Sequence, residues 1–270
     1  MAVGQKKDGI VIHVVTKVTP KMKKGLMKGL KAEAEKYLQL GKREKDSKIQ
    51  VEYYRKAAEL GNAEAQCGLG NCYHYGQGAE KDMAEALRWY RKADEQENPE
   101  AQYQLGICYF YGHGVEMDKT EGFKWYKKAA EKGYDQAQQE LGNCYYYGYG
   151  VAKDEAEAVK WYEKIADSGK LKLEKTREFI QYNLGVCYEE GKGVARNYAK
   201  AIYWYKKSAS RGYDKAMYKL AMMYKDGRGV ERDKKTAVMW LEKAVQETEA
   251  VLGLGDFYKR ELKKSKSIFW

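Results

Sequence analysis

Residues 101–133 read AQYQLGICYFYGHGVEMDKTEGFKWYKKAAEKG, and variants of this string recur along the chain. Its marker tryptophans are Trp89, Trp125, Trp161, Trp204 and Trp240, at steps of 36, 36, 43 and 36 residues. A period of this size means stacked supersecondary units that contact their neighbours, not one globular core. In the first half of the string Ala101, Leu105, Cys108 and Tyr109 share one helical stripe. Asn98 and Pro99 supply an N-cap and a first-turn proline, and Gly112 and Gly114 stop the helix and turn the chain. The spacing predicts a helix A over 99–111. Gly106, repeated as Gly70, Gly142 and Gly185, sits inside that helix, where Gly costs about 1 kcal/mol against Ala. It is expected to let a neighbouring helix approach closely.

Helix B opens on capping boxes, Asp82 with Glu85, Asp118 with Glu121 and Asp154 with Glu157. In the last two copies Asn197 and Asp233 keep the cap, while Lys200 and Thr236 replace the acid. The 43-residue step holds seven extra residues around Lys170–Arg177. Seven residues make two helical turns and preserve the face, so helix A of that copy is expected to start earlier. On this pattern the chain divides into a basic tail expected to be disordered (1–25), a degenerate capping pair (26–61) and repeats at 62–97, 98–133, 134–169, 170–212 and 213–248. A capping helix and tail complete it (249–270). The fold expected is all-α, a right-handed α-solenoid of stacked antiparallel helix pairs.

The net charge of +11 is unevenly distributed. Residues 1–31 carry eight Lys against one Asp. Residues 62–169 carry 12 bases against 19 acids, and 170–255 carry 18 bases against 11 acids. This acidic-then-basic split suggests head-to-tail self-association. Cys72, Cys108, Cys144 and Cys187 occupy one repeat position, too far apart for disulfides, which points to reduced, buried thiols and a cytoplasmic setting. No apolar run reaches the ~20 residues of a membrane helix, and Gly9–Val15 lacks the cleavage site of a signal peptide. His13, His74 and His113 share no metal or triad spacing, the six Ser lie outside the motif, and most carboxylates read as caps or solvated faces. The Gly-x-Gly turns follow helices rather than strands, so turn geometry explains them better than a phosphate cradle. The expectation is a non-enzyme with no cofactor and no metal.

The motif, Ala-x3-Leu-Gly through Gly-x-Gly-Val to Trp-Tyr-x-Lys-Ala-Ala, resembles the Sel-one-like (Sel1-like) repeat, a branch of the tetratricopeptide-like helical repeats, over about residues 46–258. That resemblance implies adaptors in protein complexes and signalling assemblies. Some secreted bacterial relatives carry a disulfide per repeat, with Cys at the end of helix B. Here those positions are Ala93, Ala130, Ala166, Ala209 and Val245 or their neighbours, which disfavours that subgroup.

By the same resemblance, helix A positions flanking the core stripe line an inner groove. They include Asn71, Tyr75, Tyr103, Phe110, Tyr111, Asn143, Tyr146, Tyr147 and Tyr182, aromatic and amide-bearing, then Glu189, Glu190, Lys225 and Asp226 toward the end. Exposed aromatics suit a bound peptide or helix, and Asn can hold its backbone. The competing role is packing against the Gly-x-Gly turn, weighed more heavily for Tyr75, Tyr111 and Tyr147 than for Tyr103, Phe110 and Tyr146. The function expected is a non-catalytic scaffold holding a protein or peptide partner. The alternative is nucleic-acid or anionic-surface binding through Lys17, Lys21, Lys23, Lys24, Lys28 and Lys31, weakened for nucleic acid by the absence of Arg and interleaved aromatics. The end, Ile268, Phe269 and Trp270, is expected to dock on the last helix pair.

Overall fold

The computed structural model describes residues 19–167, 174–248 and 255–267. Among them lie α1 (Pro20–Arg43), α2 (Ser47–Glu59), α3 (Ala63–Tyr75), α4 (Met83–Asp94), α5 (Pro99–Tyr111), α6 (Lys119–Glu131) and α7 (Asp135–Tyr147). There follow α8 (Glu155–Ala166), α9 (Glu174–Glu190), α10 (Tyr198–Ala209), α11 (Asp214–Asp226), α12 (Lys234–Thr248) and α13 (Gly255–Ser267). None is long and apolar enough to cross a membrane. The chain forms two compact units, divided between Trp89 and Tyr90.

In the first unit Leu38, Val51, Ala57, Ala58, Ala65, Leu69, Cys72 and Trp89 make the core. α1 is capped by Thr19, whose side chain accepts from the Met22 N–H. Residues 20–25, expected to be disordered, are therefore the start of a helix. Its N-terminal half is exposed, and only Ala34, Leu38 and Gly41 are buried. The rest of the Lys-rich segment, residues 1–18, lies outside the described residues, as do Ile268, Phe269 and Trp270.

In the second unit each helix from α5 to α13 packs on the next in chain order. The predicted helix A over 99–111 is α5, and Asn98 accepts from the Ala101 N–H. α9 has 17 residues where α5, α7 and α11 have 13, so the copy with the long step does begin its helix A early. Residues 168–173 of that extension are outside the described part.

The glycine inside helix A works as the sequence suggests. A Cβ on Gly142 would lie 2.7 Å from the Tyr162 ring of the paired helix B, and one on Gly106 would lie 2.5 Å from Tyr126. The tyrosine of each Trp-Tyr pair thus presses into the backbone groove opposite, and Tyr126, Tyr162 and Tyr205 are fully buried. The second glycine of the turn has another duty. At Gly150, with φ 69°, a Cβ would meet the Lys119 carbonyl of the preceding helix B at 2.0 Å. The turn is a docking point between repeats as well as a chain reversal.

The capping boxes form by half. Asp118 accepts from the Glu121 N–H at 2.9 Å, and Asp82, Asp154, Asn197 and Asp233 cap in the same way. The acid does not reach back, because the cap's own N–H is already bonded to helix A. Asp82, Asp118, Asp154, Asn197 and Asp233 donate to the carbonyls of Tyr73, Tyr109, Tyr145, Tyr188 and Tyr224 at 2.8–3.0 Å. Glu85, Glu121 and Glu157 pair instead with Arg88, Lys124 and Lys160 one turn on. That is why Lys200 and Thr236 can replace the acid in later copies without leaving a donor unsatisfied.

In four copies the motif lysine three residues after the Trp lies over that indole. Lys128, Lys164, Lys207 and Lys243 stand 4.0, 4.6, 5.4 and 4.8 Å from the ring centroids of Trp125, Trp161, Trp204 and Trp240. All five cysteines are buried and none is in a disulfide. Burial pushes the thiols of Cys108, Cys144 and Cys187 up to about 12, so they pack as small apolar groups.

Candidate partner-binding surface

Helix A puts two neighbouring aromatics near its C-terminus in each of α5 and α7, about 100° apart around the axis. The structure assigns them opposite roles. Phe110 is only 8% exposed and packs 5.7 Å from Tyr126. Tyr146 is half-buried, 6.4 Å from Tyr162. Tyr111 and Tyr147, by contrast, are 58% and 47% exposed. Tyr111 and Tyr147 do stack on the middle residues of their turns, His113 and Tyr149, yet remain open to solvent on the other side. Phe110 belongs to the core against the buried tyrosine of helix B, and the rings expected to close the turn are the ones that face solvent. Tyr103 and Tyr182 are wedges of the same core, at 5.8 Å from Tyr126 and Tyr205 respectively and packed on Tyr134 and Tyr213.

Between the two exposed rings stands Tyr149, 41% exposed, which sequence reasoning missed. It is the middle residue of the Gly148–Gly150 turn, where other copies have Gln77, His113, Lys192 and Arg228. Variation between two fixed glycines was the available signal. Tyr149 stacks on Tyr147 at 5.3 Å and meets Phe110 edge-on at 6.0 Å. Phe110 in turn contacts Tyr111 at 5.0 Å, and Tyr147 contacts Tyr146 at 4.9 Å. Five rings from two consecutive repeats thus form one connected aromatic cluster within the second unit, and three of them, Tyr111, Tyr147 and Tyr149, face solvent.

Its polar floor is largely committed. Asn143 accepts from the Tyr162 hydroxyl at 2.8 Å and donates to Glu140 at 3.2 Å. Neither Asn143 group waits free for a partner backbone. Glu140 is half-buried, and burial raises its carboxyl above the ordinary range, with the Asn143 hydrogen bond pulling the other way. In the first unit Asn71 is half-buried, and Tyr75 is 54% exposed, its ring stacked on buried His74 at 4.5 Å.

The charged end of the helix A row is closed on itself. Glu189 takes the position of Phe110 and Tyr146. Its carboxylate is buried and accepts from Tyr205 at 2.6 Å and from Lys219 and Arg228 at 2.8 Å each. Burial alone would raise it, but these donors outweigh that and hold it below the usual carboxylate range. Glu190 pairs with Lys192 at 2.6 Å, and Asp226 with Arg228 at 3.4 Å. The Glu189 ion pairs join adjacent repeats, while the other two pairs close within one repeat.

The repeat pattern has known relatives. The Sel1 repeat model matches six times, at residues 40–62, 63–98, 99–134, 135–170, 181–213 and 214–247. Among solved structures, the chain is similar to a protective antigen present in uropathogenic Escherichia coli strains that displays an SLR fold. The two are 31% identical with a TM-score of 0.71, over 83% of this chain and 47% of that one. It is also similar to a Sel1 repeat protein from Oxalobacter formigenes, at 36% identity and a TM-score of 0.60, over 84% of this chain and 88% of the other. The chain thus spans about half the length of the first and most of the second. No curated protein matches it. The recurring motif, the stacked helix pairs and these likenesses agree, and the chain belongs to the Sel1 repeat family.

Proposed function

We propose that this protein is a non-catalytic scaffold that holds a peptide or helical segment of a protein partner on the aromatic surface of α5 and α7. The observation that carries this reading is the exposure of Tyr111, Tyr147 and Tyr149 in one connected set of rings. Rigid aromatics offer large contact area at low entropic cost, and exposed clusters of them are uncommon unless something covers them. Family membership agrees, since Sel1 repeat proteins generally mediate protein–protein interaction. Free, buried cysteines suit a reducing, cytoplasmic setting. Changing Tyr111, Tyr147 and Tyr149 together to Ala is expected to abolish capture of the native partner and to leave the far-UV CD spectrum unchanged. Undiminished capture by the triple variant refutes the assignment.

A second reading rests on α1. Residues 20–31 hold five lysines and no acid on an exposed helical segment that also presents Met22, Leu26 and Met27. This pattern suits an anionic surface. Changing Lys21, Lys24, Lys28 and Lys31 to Gln should then remove binding to anionic vesicles that is itself weakened by salt. Salt-insensitive binding, or binding that survives in the variant, counts against it.

A further inference from the structure

We propose that Glu140 is the recognition point for a basic side chain, Lys or Arg, of the segment bound on the aromatic surface. This rests on the reading of that surface given above and adds the chemistry of its occupant.

Three equivalent positions recur at the boundaries between consecutive repeats in the second unit. They are the buried-side residue near the end of helix A and two residues of the next repeat, the one before the motif Leu and the one between the turn glycines. At the charged end these are Glu189 with Lys219 and Arg228, a carboxylate met by two cations. In the middle they are Tyr146 with Asn183 and Lys192, the Lys192 ammonium lying 5.9 Å from the Tyr146 ring. At the aromatic end they are Phe110 with Glu140 and Tyr149. Here the carboxylate has no cation. Its hydrogen bond is the one from Asn143, and among the described residues it forms no ion pair.

A half-buried carboxylate without a counter-ion is a poor structural element, because its desolvation goes uncompensated. The surroundings of Glu140 suit a cation arriving from outside. On α7 it shares one helical stripe with Asn143, three residues on, and with the exposed Tyr147, seven residues on, and its charge adds to burial in raising the phenols of Tyr111 and Tyr126. The neighbouring ring faces already hold an ammonium: Lys119 stands 5.5 Å from the Phe110 centroid and 5.0 Å from that of Tyr149. A second acceptor lacks a donor one repeat earlier, for Gln104 occupies the Glu140 position in α5 and its buried Oε1 has no hydrogen-bond partner. Lys and Arg combine an apolar stem with a terminal donor. The stem would lie on Tyr111 and Tyr147, and the charged head would meet Glu140.

The test uses the full chain and a random decapeptide library displayed on phage. Selected peptides are expected to share one Lys or Arg. In a synthetic copy of the strongest peptide, replacing that residue with norleucine should weaken binding by at least about tenfold. Glu140→Gln should erase this Lys-over-norleucine ratio, whereas Glu140→Asp should keep part of it. Selected peptides without a shared basic residue, or a ratio unchanged in Glu140→Gln, overturn the proposal while leaving the aromatic surface in place. The surface itself is tested separately by Tyr111→Ala with Tyr147→Ala. If that variant binds the peptides as well as the parent does, or if no peptide is selected, both readings fall.

Discussion

Gly142→Ala puts the central packing contact of the repeat to a quantitative test. The added methyl would lie 2.7 Å from Cε1 and 2.9 Å from Cδ1 of Tyr162, where ordinary contact begins near 3.4 Å. The ring must therefore retreat by about 0.7 Å, and it is fully buried, with nowhere to swing. Overpacking of this kind costs ~1–3 kcal/mol. Moving the ring also draws its hydroxyl away from Asn143, now 2.8 Å away, a bond worth ~1 kcal/mol. Against this stands ~1 kcal/mol gained by exchanging Gly for Ala inside a helix. The balance is a loss of about 2 kcal/mol, read from urea denaturation followed by far-UV CD. In a Tyr162→Leu background the obstruction is gone, and the same substitution should be neutral or stabilising by up to ~1 kcal/mol. If Gly142→Ala is as stable as the parent, or has the same effect in both backgrounds, the glycine is not there to admit the tyrosine.

Glu97 has φ 59°, while Gly61, Gly133 and Gly212 fill the same repeat position at similar positive angles. Glu97→Gly should raise stability by about 1 kcal/mol, since its exposed ion pair with Lys132 contributes little, and an unchanged urea midpoint would count against strain there. The two site carboxylates should respond to pH with opposite signs. Glu189 is held below its ordinary range, so the stability it adds is present above the unfolded value of about 4.3 and lost as pH falls through the folded one. Glu189→Gln should therefore destabilise at pH 7, by ~1–3 kcal/mol after allowing for the partial exposure of Lys219 and Arg228, and flatten the loss of stability below about pH 4. Glu140 is held above its range, so ionising it as pH rises costs stability, and Glu140→Gln should stabilise the protein at pH 7. Thermal melts of both variants at pH 4 and pH 7 decide the signs.

What could be read from the chain before folding was whatever depends on one helix at a time. The period, the Asn98 cap, the turn glycines and the burial of Cys108 and its equivalents follow from local spacing. So does the need for a glycine at position 106. The rest depends on how two helices meet. Phe110 and Tyr111 are adjacent in sequence and alike in chemistry, and only the Tyr126 ring, pressed against Gly106 from the other helix, decides which is buried. The missing half of the capping box has the same origin, because the Asp118 N–H is taken by a carbonyl of the preceding helix. Tyr149 stood out only as a variable residue between two fixed glycines and Glu140 not at all, since the residues that give them a role lie about 40 and 30 positions earlier, across a repeat boundary.

That boundary is where the copies differ most in chemistry while keeping one geometry. The same three positions hold two rings and a carboxylate (Phe110, Tyr149, Glu140), a ring, a cation and an amide (Tyr146, Lys192, Asn183), or a carboxylate and two cations (Glu189, Arg228, Lys219). The sets differ in how far their charge is met within the chain. The last set is neutralised internally and offers a partner little gain, because any new ion pair would have to break one already made. The middle set spends its cation on Glu190 and the Tyr146 ring. In the first set the carboxylate forms no ion pair among the described residues. Along this row, the proposed binding chemistry falls where the charge at the repeat boundary is not met within the chain, and the residues that meet it elsewhere show which charge is wanted.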